Sequence, residues 1–346
     1  MMQISPETQL FIREHSSDDV RVLALQAKKY PDIDMPTAIT QIAGRKVAAE
    51  KIPSWWEIEK IWYPKHLSLE QCSSEITARY KARLLQGDSL TDLTGGFGID
   101  CSFLATGFKS ATYVERQEEL CEIAAHNFPV LNLNHINIKN EDGVTYLQAM
   151  SPVDCLFLDP ARRNEHGGKT VAISDCEPNV AELEELLLQK ANRVMIKLSP
   201  MLDLSLALKE LKQTQEVHIL SVNNECKELL ILLGQTSPAE ISIHCVNLFT
   251  KGTQKEQHFV FTREQEQCSE CTYTDSLETY LYEPNASLLK AGAFRSIAAA
   301  YPVRKLHPNS HLYTSDTFIE NFPGRIFRIV NQLSLIHISE PTRHAQ

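Results

Sequence analysis

The sequence predicts an α/β protein built on a mostly parallel, doubly wound sheet that ends in antiparallel strands. A helical region precedes this sheet and a small α+β unit follows it. Three observations carry the assignment. Short apolar or β-branched runs alternate with helical stretches between residues 89 and 222. Three more strand-like runs then follow with no room for helices between them. A glycine turn, Asp92-Leu93-Thr94-Gly95-Gly96-Phe97-Gly98, links the first strand to the first helix of the alternation. Strands separated by helices are the pattern of βαβ units and a parallel sheet.

Residues 1–86 are polar with helical periodicity at Val20, Leu23, Leu25, Val47 and Ala48. Pro53, Trp55, Trp56 and Pro64 punctuate them, so a small helical N-terminal region is expected. The α/β domain spans 87–265. Its strands are predicted at 89–93, 111–115, 136–139, 155–158, 194–198 and 217–222, and its crossover helices at 99–106, 117–127, 180–190 and 204–212. The runs at 229–233, 241–248 and 258–262 supply the antiparallel finish. A polar stretch at 264–275 marks a boundary, and the C-terminal unit occupies 276–332.

Residues 333–343, LSLIHISEPTR, match the translation of a transposase sequencing adapter. A genuine strand and Pro turn is the alternative. We expect 333–346 to be an assembly scar and the authentic chain to be cut short near Gln332.

Composition narrows the function classes. Among 346 residues, 34 Lys+Arg face 44 Asp+Glu, a formal charge of −10. That balance argues against coating nucleic acid by bulk charge and leaves room for a local basic groove. No apolar run approaches the roughly 18 residues of a membrane span, and the N-terminus lacks a signal-peptide pattern, so a cytoplasmic protein is expected. The nine cysteines are odd in number and often sit in apolar runs, which suits reduced thiols.

The glycine turn is the strongest chemical signal. Glycines there let the backbone turn and approach a ligand, and the helix start offers free N–H groups. A dinucleotide fingerprint counted from Gly96 would need a third glycine where Cys101 stands, which weakens a pyrophosphate reading. Glu115 ends the second strand, where its carboxylate can accept both hydroxyls of a ribose. Asp142 follows the third strand and can take an adenine amine. Asp159-Pro160-Ala161-Arg162-Arg163 follows the fourth. Carboxyl ends of parallel strands are where open α/β sheets bind ligands. Each acid taken alone also reads as a helix cap.

On these residues the chain resembles class I S-adenosylmethionine-dependent methyltransferases. Asp92 to Asp100, with Thr94, Gly95, Gly96, Phe97 and Gly98, is similar to motif I. Glu115 corresponds to the ribose acid, Asp142 to the adenine-side acid, and Asp159 to Arg162 to motif IV. The segments LEQCSSEITARYKA, LDPARR, IKLSPMLDL and LYEPNASLLKAG resemble bacterial members with a C-terminal THUMP-like domain. The resemblance implies a Rossmann-like sheet, S-adenosylmethionine as cofactor, and a tRNA or rRNA substrate handled by a mildly basic C-terminal unit containing Lys290, Arg295, Arg304, Lys305, Arg325 and Arg328. It also implies that the segment around Ser73, Ser74, Glu75 and Thr77 covers the cofactor.

Asp159 and Pro160 retain the acceptor capacity of motif IV, and Arg162 replaces the usual aromatic ring. That substitution lowers an adenine N6 reading and raises guanine N2 or another acceptor. Arg162 and Arg163 then hold a phosphate or base edge, or are ion-paired with Glu165 or Glu177. Lys197 and Ser199 end the fifth strand and are candidates to contact substrate, although a lysine reaching a carboxylate is as good a reading for Lys197. Carbon methylation would need a nucleophilic cysteine, for which Cys176 and Cys226 are weak candidates. One CxxC, Cys268 and Cys271, does not make a zinc site, and no metal is expected. A nucleotide-dependent oxidoreductase or a non-catalytic RNA-binding module on the same fold remain alternatives, as does a methyltransferase with a non-RNA substrate.

Overall fold

The computed structural model describes residues 4–162, 172–236 and 238–331. The adapter-like tail and Arg163 lie outside the described residues. The chain divides into two compact units, one comprising Met1–Glu216 with Glu228–Ala239 and the other Val217–Lys227 with Glu240–Gln346.

The first unit opens with six helices: α1 (Pro6–Glu14), α2 (Val20–Leu25), α3 (Met35–Lys51), α4 (Pro53–Trp56), α5 (His66–Gln71) and α6 (Glu75–Ala82). Ser5, Asp19 and Asp34 cap α1, α2 and α3 by accepting from backbone N–H groups of the first turn, and proline occupies the first turn of α1, α3 and α4. Phe11, Leu23, Met35, Ala38 and Ile42 form one buried cluster. In a second, Ile52, Trp55, Tyr63, Leu69 and Ala78 pack with Phe97, Ile99 and Ile123. The helical region therefore shares a core with the helices of the sheet. Each fully buried side chain of this size contributes about 1.5–3 kcal/mol. The tryptophan pair splits: Trp55 is buried edge-on against Phe97, and Trp56 is exposed beneath the Arg45 guanidinium.

Strands β1 (Ser89–Asp92), β2 (Ser110–Glu115), β3 (Ile136–Asn140) and β4 (Val153–Leu158) follow, separated by α7 (Ile99–Ala105), α8 (Glu118–Val130) and α9 (Gly143–Ala149). A short antiparallel ladder pairs β5 (Ala161–Arg162) with β6 (Cys176–Glu177). Next come α10 (Val180–Lys190), β7 (Ala191–Leu198), α11 (Leu204–Glu210), β8 (Thr214–Val222) and β9 (Glu225–Gly234). In this unit the sheet runs β9-β7-β4-β1-β2-β3. It is parallel from β7 to β3, with β9 antiparallel to β7. Strands β8 and β9 turn through Asn223 and Asn224, both at positive φ, and contribute residues to both units. The predicted strands and crossover helices are all present. Helix α9 was not expected, because its seven residues begin with Gly, Val and Thr and carry a single buried apolar anchor, Leu147.

The second unit pairs β10 (Ser242–Leu248) with β11 (Glu256–Thr262) antiparallel. Helix α12 (Arg263–Cys268) occupies part of the stretch read as a polar boundary, held by a capping box between Thr262 and Gln265. A four-stranded antiparallel sheet, β13-β14-β12-β15, is built from β12 (Tyr280–Pro284), β13 (Arg304–Lys305), β14 (Tyr313–Ser315) and β15 (Gly324–Arg328). It is accompanied by α13 (Ala286–Ala291) and α14 (Arg295–Ala300), and Tyr282, Tyr313 and Phe322 are buried within it. All nine cysteines are free thiols. Among the described residues, no helix is long and apolar enough to cross a membrane.

Candidate active site

The carboxyl ends of the adjacent strands β4, β1 and β2 carry the acids singled out from the sequence. Asp92 ends β1 with 1% of its surface exposed. Its Oδ1 accepts from the Thr94 N–H at 2.9 Å, and its buried Oδ2 has no hydrogen-bond partner. Burial pushes the Asp92 carboxyl up to about 8, partly offset by the Thr94 bond and reinforced by Asp100, Asp159 and Glu115.

The turn after Asp92 is shaped by what lies behind it. The Tyr113 hydroxyl donates to the Gly96 carbonyl at 2.5 Å, and a Cβ on Gly95 would sit 2.3 Å from the Tyr113 ring. Gly96 and Gly98 adopt φ of 54° and 87°, which disfavour any other residue. Phe97 is buried against Trp55. The Gly96 N–H donates to Glu115 Oε2 at 2.9 Å, and the Gln117 N–H donates to Glu115 Oε1 at 2.8 Å. The Glu115 carboxylate is thus fixed beside the glycine turn.

Asp142 is the N-cap of α9: its Oδ1 accepts from the N–H groups of Val144 and Thr145, both at 3.0 Å. The capping role weighed for this acid is therefore present, and Oδ2 is left for another partner. A Cβ on Gly143 would meet the Leu93 carbonyl at 2.2 Å, so this loop lies tight against the end of β1.

Asp159 and Pro160 follow β4. Thr94 Oγ1 accepts from the Asp159 N–H at 2.6 Å, tying the glycine turn to the motif IV segment. The Asp159 carboxylate is ion-paired through Oδ2 with Lys197 of β7. The lysine-to-carboxylate pairing weighed for Lys197 is thus present, with Asp159 as the carboxylate. Ser199 Oγ accepts from the Met201 N–H at 3.2 Å. The backbone of Arg162 pairs with Cys176, which is buried.

Behind Asp159 lies a buried cluster that sequence reading missed. Lys81 of α6, fully buried, contacts Asp100 Oδ1 at 2.9 Å, Glu228 Oε2 at 2.7 Å and Ser73 Oγ at 2.8 Å. Lys197 Nζ lies 3.6 Å from Asp100 Oδ2. Burial works against the Lys197 ammonium, yet Asp159, Asp100 and Glu228 outweigh it and hold its pKa above the usual lysine value. Burial also works against the Asp100 carboxylate, and Lys81 and Lys197 outweigh it to lower its pKa. Asp159 stays above the ordinary value because burial exceeds the pull of Lys197. The one signal in the sequence was the pair of serines and the lysine around α6, a segment marked only by family resemblance.

The C-terminal basic residues are less available than their count suggests. Arg304 pairs with Glu278, Arg325 pairs with Glu283 at 2.6 Å, and Lys305 is buried, donating to the Pro308 carbonyl. In the same unit, His218, His244 and His258 stack with centroids 4.3 and 5.3 Å apart. His244 Nδ1 lies 3.1 Å from His258 Nε2.

Among solved structures, the chain is 35% identical to the "putative methyltransferase from Porphyromonas gingivalis W83", with a TM-score of 0.83 over 96% of this chain and 84% of that one. A "putative methyltransferase" of Streptococcus mutans in complex with SAH matches at 14% identity and a TM-score of 0.34, over 46% of this chain and 96% of that one. An rRNA methylase of Streptococcus thermophilus matches at 14% and 0.33, over 46% and 93%. A search of curated proteins found no match. A family model of a ferredoxin-like domain matches residues 280–323, where the sequence resemblance had pointed to a THUMP-like unit. With this identity sustained over nearly its whole length, the chain belongs to the methyltransferase family of the P. gingivalis protein.

Proposed function

We propose that the protein is a cytoplasmic S-adenosylmethionine-dependent methyltransferase that modifies a nitrogen of a base in tRNA or rRNA. The observation that carries the cofactor reading is the arrangement of Asp92, the glycine turn and Glu115 at the carboxyl ends of β1 and β2. Asp92 offers a buried carboxyl oxygen with no partner, Gly96 is the partly exposed glycine of the turn, and Glu115 is fixed where it can accept ribose hydroxyls. These donors and acceptors fit the cofactor, with Asp142 Oδ2 left for its adenine. Bound there, the cofactor supplies an electrophilic methyl group on a cationic sulfur, which the surrounding carboxylates favour.

Asp159 and the Pro160 carbonyl accept hydrogen bonds from the acceptor nitrogen and hold its lone pair in line with the methyl group. Arg162 and Arg163 bind a phosphate or base edge of the RNA. The THUMP-like reading of 276–332 belongs to this proposal and assigns RNA handling to the ferredoxin-like unit. One observation favours a second reading, a smaller or non-RNA acceptor: the local pairing of Arg304 and Arg325 reduces the basic surface of that unit.

The test is mass spectrometry of modified nucleosides in cells with and without the gene, followed by labelled methyl transfer in vitro. The proposal expects one methylated nucleoside to disappear and to be restored by the wild-type protein but not by D159A. Label appearing only in protein or small-molecule fractions refutes the RNA part.

A further inference from the structure

We infer that Glu228, Lys81, Asp100 and Lys197 form a buried charge relay that positions the Asp159 carboxylate as proton acceptor, making α6 of the helical N-terminal region part of the catalytic apparatus. The inference deepens the methyl-transfer reading above and rests on it.

Five charges alternate in sign through five segments: Glu228 on β9, Lys81 on α6, Asp100 on α7, Lys197 on β7 and Asp159 after β4. Lys81 is fully buried, and Glu228, Lys197 and Asp100 are 5%, 8% and 9% exposed, whereas the Asp159 side chain is 36% exposed. Three carboxylates against two ammonium groups leave one negative charge in surplus. A buried unpaired charge is costly, so the surplus belongs at the solvated end of the chain, which is Asp159.

The same geometry divides the work of the two Asp159 oxygens. Oδ2 is held by Lys197, and Oδ1 has no partner among the described residues. The main chain is pinned as well, through the Asp159 N–H to Thr94. As the acceptor nitrogen forms its bond to carbon, the carbon–sulfur pair returns to sulfur and the nitrogen becomes cationic. Its surplus proton passes to Asp159 Oδ1, while Lys197 keeps its own proton against Oδ2. Lys197 is a positioning residue for Asp159, and Lys81 acts one step further back by holding Asp100.

The other titratable groups bearing on this chain are Asp92 from β1, Glu115 from β2, Cys101 from α7, whose thiol burial raises, and Cys72 after α5, whose thiol burial pushes up to about 11. None of them interrupts the alternation. Asp100 and Lys81 bear on the Asp159 carboxyl with opposite signs, so disrupting them should move its titration as well as stability. A relay makes the effect on Asp159 change sign from one link to the next.

The experiment uses the full chain labelled with 13C-aspartate, the Asp159 carboxyl signal being identified with D159N and followed by NMR across pH. In parallel, labelled S-adenosylmethionine and bulk RNA from cells lacking the gene report methyl transfer against pH. K197M is expected to raise the Asp159 midpoint by about one unit or more, slowing transfer about tenfold on the acid limb. K81M shifts it the same way by less, and D100N and E228Q shift it downward. D100N is nearly isosteric and decides the matter should K81M not fold. Unchanged midpoints in K81M and D100N, or shifts of the same sign in both, overturn the relay. No transfer by the wild type onto RNA overturns the RNA reading, and the carboxyl titration still decides the relay.

Discussion

Asp92→Asn separates what the cofactor site needs from what the fold prefers. In the folded protein the Asp92 carboxyl titrates near 8, against 3.8 for an unburied aspartate. The unfolded chain therefore loses this proton first as pH rises. Stability is unaffected by Asp92 below about pH 4, falls between about 4 and 8, and is flat above that range. At about 1.4 kcal/mol per unit, the shift corresponds to a penalty of about 4 kcal/mol at pH 7 and somewhat more at pH 8. Asparagine cannot ionise, so D92N escapes this penalty. It places an N–H where Oδ2 now lacks a partner, which costs about 1–3 kcal/mol at every pH. D92N should thus be less stable than wild type near pH 4 and more stable by about 2–4 kcal/mol at pH 8. Urea unfolding at a series of pH values measures the difference directly. Calorimetric titration with S-adenosylmethionine should show binding weakened at least about tenfold, or about 1.4 kcal/mol. A stability difference between D92N and wild type that does not change with pH would refute the reasoning.

Three further outcomes follow from the same geometry. G95A forces a Cβ into the Tyr113 ring and should cost about 1–3 kcal/mol in urea unfolding, with less than additive loss when combined with Y113L. E115Q keeps the shape but puts an amide donor against one of the two N–H groups, of Gly96 or Gln117, and removes the negative charge, so S-adenosylmethionine affinity should fall about tenfold or more by calorimetry. D142A should lose about 1 kcal/mol of stability with the α9 cap, whereas D142S keeps the cap; a loss of cofactor affinity shared by both assigns Asp142 a contact to the ligand.

The parts of the site legible in the sequence are those encoded locally. A strand of four residues, a glycine turn and a helix lie within one short segment, and the acids at strand ends need only a correct strand assignment to be placed together. Asp92, Glu115 and Asp159 converge for that reason. Helix α9 escaped because a short helix with one apolar anchor has too weak a period, and its start, Asp142, reads equally as a ligand and as a cap. The partners of Lys81 escaped for a different reason. Glu228 is 147 residues away along the chain, and nothing local to β9, where it stands between a polar start and the apolar run Leu229–Leu233, says that its buried carboxylate meets a lysine from α6.

The buried cluster also bears on why the helical region exists where it does. Removing two ammonium groups and three carboxylates from water costs several kcal/mol per ion, and attraction within the cluster roughly repays it. Apolar residues of similar volume would hold α6 against α7 at least as well, as Trp55, Leu69 and Ala78 already do nearby against Phe97 and Ile99. Stability therefore does not explain Lys81. What an apolar replacement could not do is transmit charge to the end of β4, where the single partly exposed member of the chain, Asp159, stands beside the glycine turn. The helical region and the sheet form one catalytic unit on this view, and a deletion that removes α6 should raise the Asp159 midpoint in the direction K81M does where the sheet itself still folds.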